Sequence, residues 1–344
     1  MKTHFAAIAL AFVACGDDSD APANLADASV DASSNDVPST PVLETWSMTT
    51  PLPGEAIAYP NVVTLDDEVW VVGGRKVNTD TMAGGPVSTV QAYDPANDSW
   101  EKHEDLPVAL DLPNVAASGG RLWILGAKGA TDLFSYDPKR RTWSAEGKRP
   151  ITRGIGASAL AVAGTSIYVV GGVVTSATNP RGLRLRDVAV FDTKTREWRE
   201  LPPIPDESAY FGAGIIDDVL YATGGSTETD PSARPGRTFA LDLKAETWSE
   251  KAALPTPVSS FGSAVVGGRL YVIGGITGGT GAIYPQVQVY DVDADEWSLT
   301  TEMPTPRFSL GASTLDGRIY VVGGVRQSSE ITFEPTPIVE VLAR

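Results

Sequence analysis

The 344-residue chain carries a formal net charge of -16 at pH 7 and has a sequence pI near 4.5, so nucleic acid or an anionic membrane surface is repelled rather than recruited. Its apolar residues fall in short alternating runs and its 34 glycines supply many tight turns; no stretch reads as a long amphipathic helix. With two histidines, His4 and His103, the chain lacks the imidazoles for a histidine metal centre or a Ser-His-Asp triad.

In chain order, Lys2 precedes an apolar run from Phe5 to Ala14, too short to span a bilayer and the size of a signal-peptide core. Cys15, the only cysteine, follows Phe12-Val13-Ala14 and precedes Gly16. This segment resembles a bacterial lipobox, with Phe12 where leucine is preferred, and the resemblance implies cleavage before Cys15 and acylation of it. Residues 16–43 are mostly Asp, Ala, Ser, Asn and Pro, and their acidic side chains meet no Lys or Arg. Such a segment buries too little apolar surface to offset chain entropy and is expected to be a disordered, extended tether. The expected location is the bacterial cell envelope, lipid-anchored at the outer membrane or cell surface, with secretion as the alternative.

From residue 44 to 344 the chain repeats. Trp46, Trp100, Trp143, Trp198, Trp248 and Trp297 recur, each with a proline seven positions later, a period that marks a propeller or solenoid. Each repeat opens on a strand that ends in a hairpin pair: Asp66-Asp67, Gly119-Gly120, Gly164-Thr165, Asp217-Asp218, Gly267-Gly268 or Asp316-Gly317. A second strand then ends in a small-residue doublet, Gly73-Gly74 in the first repeat and Gly126-Ala127 in the second. A third strand closes on Asp94, Asp137, Asp192, Asp242 or Asp291, and the next tryptophan lies six residues on. Each unit is thus a four-stranded antiparallel meander, strands a to d, which is one propeller blade.

The double glycine, the aromatic-Asp pair and the spaced tryptophan resemble the Kelch repeat. The expected fold is all-β: a six-bladed β-propeller of four-stranded antiparallel blades, closed by an N-terminal d strand at Trp46 that completes the last blade. Glu340 is expected to stand where that last blade would carry its aspartate.

The b–c loops vary most in length, and loops that vary on a rigid scaffold are where binding surfaces are built. In a propeller the b–c and d–a loops share a face, which makes Arg75, Asp111, Arg153, Arg181, Tyr210, Arg234, Phe261, Arg307, Phe308, Arg326 and Glu334 the candidate binding residues. Guanidinium forks fit carboxylates and aromatic rings stack on sugars, so the expected ligand is a glycan or a protein, bound by a monomer without catalysis, cofactor or metal. The alternatives are a protein-interaction scaffold and a sugar mutarotase. Bacterial sialic-acid mutarotases are six-bladed Kelch proteins, and Arg234 with Glu228, or Arg326 with Glu334, would supply clamp and base. The acidic run Asp291, Asp293, Asp295 imitates a calcium loop but carries Glu296 where that loop needs glycine. His103, on an outer strand, is expected to be exposed.

Overall fold

The two-residue turns set the first hairpin of each repeat. Gly119-Gly120, Asp217-Asp218, Gly267-Gly268 and Asp316-Gly317 all hold positive φ at both central positions, the geometry that matches the twist of the flanking strands. Each hairpin grows into a four-stranded sheet. In blade 1 the strands are Asn61–Leu65, Glu68–Val72, Val90–Asp94 and Ser99–Lys102. The computed structural model describes residues 43–77, 84–150, 155–174, 182–227, 236–278, 281–329 and 332–344. Among these residues there are six such four-stranded sheets, all antiparallel. Cys15 and residues 16–42 lie outside the described residues, as do Arg153, Arg181, Glu228 and Arg234.

The innermost strands, Asn61–Leu65, Val115–Ser118, Ala159–Ala163, Gly212–Ile216, Gly262–Val266 and Gly311–Leu315, neighbour one another in chain order, and the sixth returns to the first. A closed ring of sheets is a propeller, and the seam is made by the chain's two ends. Strand Thr45–Met48 pairs with Val339–Ala343, with Trp46 opposite Leu342. Leu43, buried, donates its N–H to the Tyr271 hydroxyl at 3.3 Å and fixes the entry of that strand.

Burial follows position in the sheet. Strands b are covered on both faces by neighbouring blades, as in Glu68–Val72, whereas the outer strands d are largely exposed. Each c-strand aspartate folds back on the next turn: Asp192 accepts from the N–H groups of Lys194 and Thr195, and Asp242 from those of Lys244 and Ala245. Asp291 does the same with Asp293 and Ala294, so the calcium-like run is a c–d turn.

The tryptophans stitch blade to blade. The indole N–H of Trp100 donates to Thr50 O, Trp143 to Glu104 O, Trp248 to Pro202 O and Trp297 to Ala252 O, at 2.8–3.0 Å. In each case the acceptor lies four residues beyond the previous blade's tryptophan. Trp46 and Trp198 lack this bond. The strand preceding each of them in the ring, Glu296–Glu302 and Thr142–Lys148, carries a bulge, which displaces the carbonyl. Two residues further along, Leu52, Leu106, Ile204, Leu254 and Met303 are buried, each worth about 1.5–3 kcal/mol by removal of its side chain from water.

Two expectations are corrected. Pairing of Ile319 with Leu342 and of Leu270 with Tyr290 puts Ala343, not Glu340, at the aspartate position of the last blade. Glu340 instead matches the buried Gln288, inside the sheet. His103 is buried rather than exposed: it packs at 4.3 Å from the Trp70 ring and its Nδ1 lies 3.1 Å from the Tyr136 hydroxyl.

Candidate functional site

The chain segments entering strands a pair with the segments leaving the glycine doublets. Ala58 bridges Arg75, Gly156 bridges Val173 and Ala209 bridges Ser226, while Val258–Ser259 pairs with Ile276–Thr277 and Arg307–Phe308 with Val325 and Arg326. The d–a and b–c loops therefore meet on one face, around the mouth of the central channel.

At that mouth each blade places one non-glycine residue in the left-handed region: Tyr59, Leu112, Ala157, Tyr210, Ser260 and Ser309, with φ from 50 to 59°. Such a conformation is uncommon for bulky residues and persists only where the surroundings hold it. Here the hold is a chain of backbone hydrogen bonds running from blade to blade: Tyr59 N–H to Ser309 O, Ser309 N–H to Ser260 O, Ser260 N–H to Tyr210 O and Tyr210 N–H to Ala157 O, at 2.6–3.1 Å.

Tyr59 and Tyr210, three blades apart, reach across the mouth to a ring-centroid separation of 6.1 Å. They help line a cavity of about 120 Å³, below which the channel itself encloses about 560 Å³ between small apolar residues and the hydroxyls of Thr64, Ser263 and Ser313. Burial, with Tyr59 beside it, pushes the Tyr210 phenol up to about 12, so it meets a ligand as a protonated hydrogen-bond donor.

Arg75 is ion-paired to Asp111 across the blade 1–blade 2 boundary, Lys128 sits 3.6 Å from the same carboxylate, and Arg184 lies close enough to act electrostatically on Tyr210. Arg75 also donates to Gly84 O at 3.2 Å, which aims its fork along the rim. Arg75, Lys128 and Arg184 bring three cationic side chains to this rim of a chain of net charge -16.

Of the candidate residues, Arg75, Asp111, Tyr210 and Phe261 gather at or beside the mouth. Phe308, Arg326 and Glu334 form a separate group on blade 6, where Phe308 meets Phe333 edge to face at 6.0 Å. There Arg326 donates to Glu334 at 2.5 Å; the other clamp and base named for a mutarotase, Arg234 and Glu228, lie outside the described residues. Arg307 is corrected: it is fully buried, ion-paired to Glu340 and donating to the carbonyls of Gly323, Thr305 and Val321, with nothing left for a ligand on the rim. Tyr59 and Lys128 were missed. Tyr59 occupies the blade 1 place that Tyr210 holds in blade 4, a match visible only when the repeats are aligned on their glycine doublets, Gly73 and Gly224.

Among the described residues no group of three or more His, Cys, Asp or Glu side chains is arranged to hold a metal ion.

A ring of four-stranded sheets with a glycine-doublet rim is a β-propeller built from sequence repeats. The chain belongs to the Kelch-repeat family: residues 115–324 match the KLHDC2/KLHL20/DRC7 Kelch-repeats domain and residues 56–106 the Kelch motif. It is similar to the Kelch-like protein terF of Aspergillus terreus, 29% identical over 200 residues that cover 51% of this chain and 43% of that protein. It is likewise similar to Beta-scruin of Limulus polyphemus, 26% identical over 192 residues, 52% of this chain and 20% of that protein. The chain thus spans less than half the length of these relatives. The solved structure of YjhT superposes with a TM-score of 0.62 at 19% identity, covering 74% of this chain and 87% of the other, a likeness of fold.

Proposed function

We propose that this chain is a non-catalytic binding module of a bacterial cell envelope, held by a lipid on Cys15, that takes a carboxylate-bearing ligand at the channel mouth. The ligand is a glycan or an acidic protein segment. The observation that carries this reading is the convergence of Arg75, Lys128 and Arg184 on a mouth lined by Tyr59 and Tyr210. Guanidinium groups pair with carboxylates in a fork, tyrosine rings stack on sugar faces or peptide planes, and an aromatic floor with polar tips binds without new conformational cost. Membership of a repeat family whose units vary in their loops is in keeping with a binding role.

A thermal-shift screen of the purified chain tests the ligand class, because a ligand of the native state raises its apparent stability. Oligogalacturonate or a poly-glutamate peptide is expected to raise the melting temperature at low salt and less at high salt, while neutral maltooligosaccharides do not. Equal shifts from neutral and acidic probes, or none from any, refute it. The anchor has its own test: Cys15→Ser is expected to move the protein from the detergent phase to the aqueous phase on Triton X-114 partition, and an unchanged partition rejects lipidation.

A further inference from the structure

The position six residues after each blade tryptophan is a core position. It holds Leu52, Leu106, Ile204, Leu254 and Met303 in five blades, and Arg149 in blade 2. The backbone treats all six alike: each N–H donates to a carbonyl at the start of its own strand c, Arg149 to Thr131 O at 2.8 Å, Leu106 to Ser88 O at 2.7 Å and Ile204 to Arg186 O at 3.0 Å. Arg149 is as buried as its apolar counterparts, at 5% exposure. Yet its Nε and Nη1 have no hydrogen-bond partner. A buried cation without acceptors is costly wherever a hydrophobic side chain would serve, so its presence at a leucine position asks for a ligand.

The surroundings supply the rest of a site. The Arg149 guanidinium stacks 4.9 Å from the ring of Trp198, whose own N–H is unpaired because the bulge at Gly147 has moved the usual carbonyl away. Trp46, unpaired behind the bulge of blade 5, packs instead in the cluster that contains Met303, with no cation at this place. Arg149 and Trp198 line a cavity of about 340 Å³ whose walls include Pro150, Val188, Leu201 and Pro203, with Asp187, Arg199 and Glu200 also on its lining. Burial pulls the Arg149 guanidinium down to about 10, opposed by the nearby Asp187, and it remains cationic at neutral pH.

We propose that this groove on the side of the propeller is a second ligand site, distinct from the channel mouth, which takes a small monocarboxylate with a short apolar body. Arg149 and Trp198 both line the cavity, and three of their nitrogens, Nε and Nη1 of Arg149 and Nε1 of Trp198, lack an acceptor; a guanidinium pairs with a carboxylate through charge-assisted hydrogen bonds. The prolines, Val188 and Leu201 take the hydrocarbon part.

Isothermal titration calorimetry of the full chain decides the matter with butyrate and benzoate, their uncharged amides, and inorganic phosphate. The wild-type chain is expected to bind the carboxylates and not the amides. Arg149→Met should weaken binding at least ~10-fold and Trp198→Phe, which keeps the ring but removes the donor, ~3-fold, in line with the loss of a charge-assisted and a neutral hydrogen bond. No carboxylate binding by the wild type overturns the proposal whatever the variants do. So does binding that survives Arg149→Met, or phosphate bound as tightly as benzoate.

Discussion

At the scale of single residues, the interior of blade 6 rests on one ion pair. Arg307 and Glu340 are both fully buried, and burial pulls the Arg307 guanidinium down while Glu340 holds it charged. Removing one partner of such a pair strands the other charge, so Arg307→Met is expected to cost about 3–5 kcal/mol by urea denaturation, and adding Glu340→Leu to recover much of it. No recovery in the double variant would show that packing, not charge, is what the pair provides. Glu104 offers a case on the surface. Hydrogen bonds from the Tyr136 hydroxyl and then Arg141 pull its carboxyl to about 2 from an ordinary 4.5. A depressed carboxylate stabilises the fold above its unfolded pKa and loses that contribution as pH falls through the folded one. The stability gap between wild type and Glu104→Gln should therefore be constant above pH 4.5 and close between there and pH 2; a gap that does not vary with pH contradicts the assignment.

At the scale of the strand and turn, the glycine doublets explain both the rule and its exception. In five blades the second glycine has φ between 92 and 120°, while Ala127 in blade 2 has no such angle because strand Arg121–Ala127 runs straight into its hairpin with Ala130–Asp137. A methyl group at Gly225 would meet Ser208 Oγ at 2.3 Å and Phe211 Cβ at 2.7 Å, whereas at Gly268 it meets open space. Gly225→Ala is expected to cost about 3 kcal/mol and Gly268→Ala about 1, measured as shifts in denaturation midpoint; equal costs would mean that φ alone matters. Turns, doublets and c-strand aspartates were legible in the sequence because each is a local device with a fixed chemical cause. The register of the last strand was not. The added hairpin of Val325–Ser329 with Thr332–Pro335 lengthens the route to strand c, so that Ala343 rather than the acidic Glu340 reaches the aspartate position.

At the scale of the whole molecule, the ring order and the closing strand could be read from the repeat, since six copies of one pattern fix each other's register. The site could be read only in part. Arg75, Asp111 and Tyr210 were named from loop position, but Arg307 looked the same by that criterion and is decided by a partner 33 residues away in sequence. An arginine after an outer strand reads as surface in the sequence; only the offset of Arg149 from Trp143 marks its core position. What the fold does with its charge is also a property of the whole: a chain of net charge -16 gathers Arg75, Lys128 and Arg184 around one mouth, and the proposed preference for carboxylates rests on that arrangement.

The most direct test is the affinity of the acidic probe that gives the largest thermal shift, measured for wild type and for Arg75→Ala/Lys128→Ala across a range of salt concentrations. Loss of two rim cations is expected to weaken binding at least ~10-fold at low salt and to flatten its salt dependence. Affinity and salt dependence that match the wild type would place the ligand somewhere other than the channel mouth.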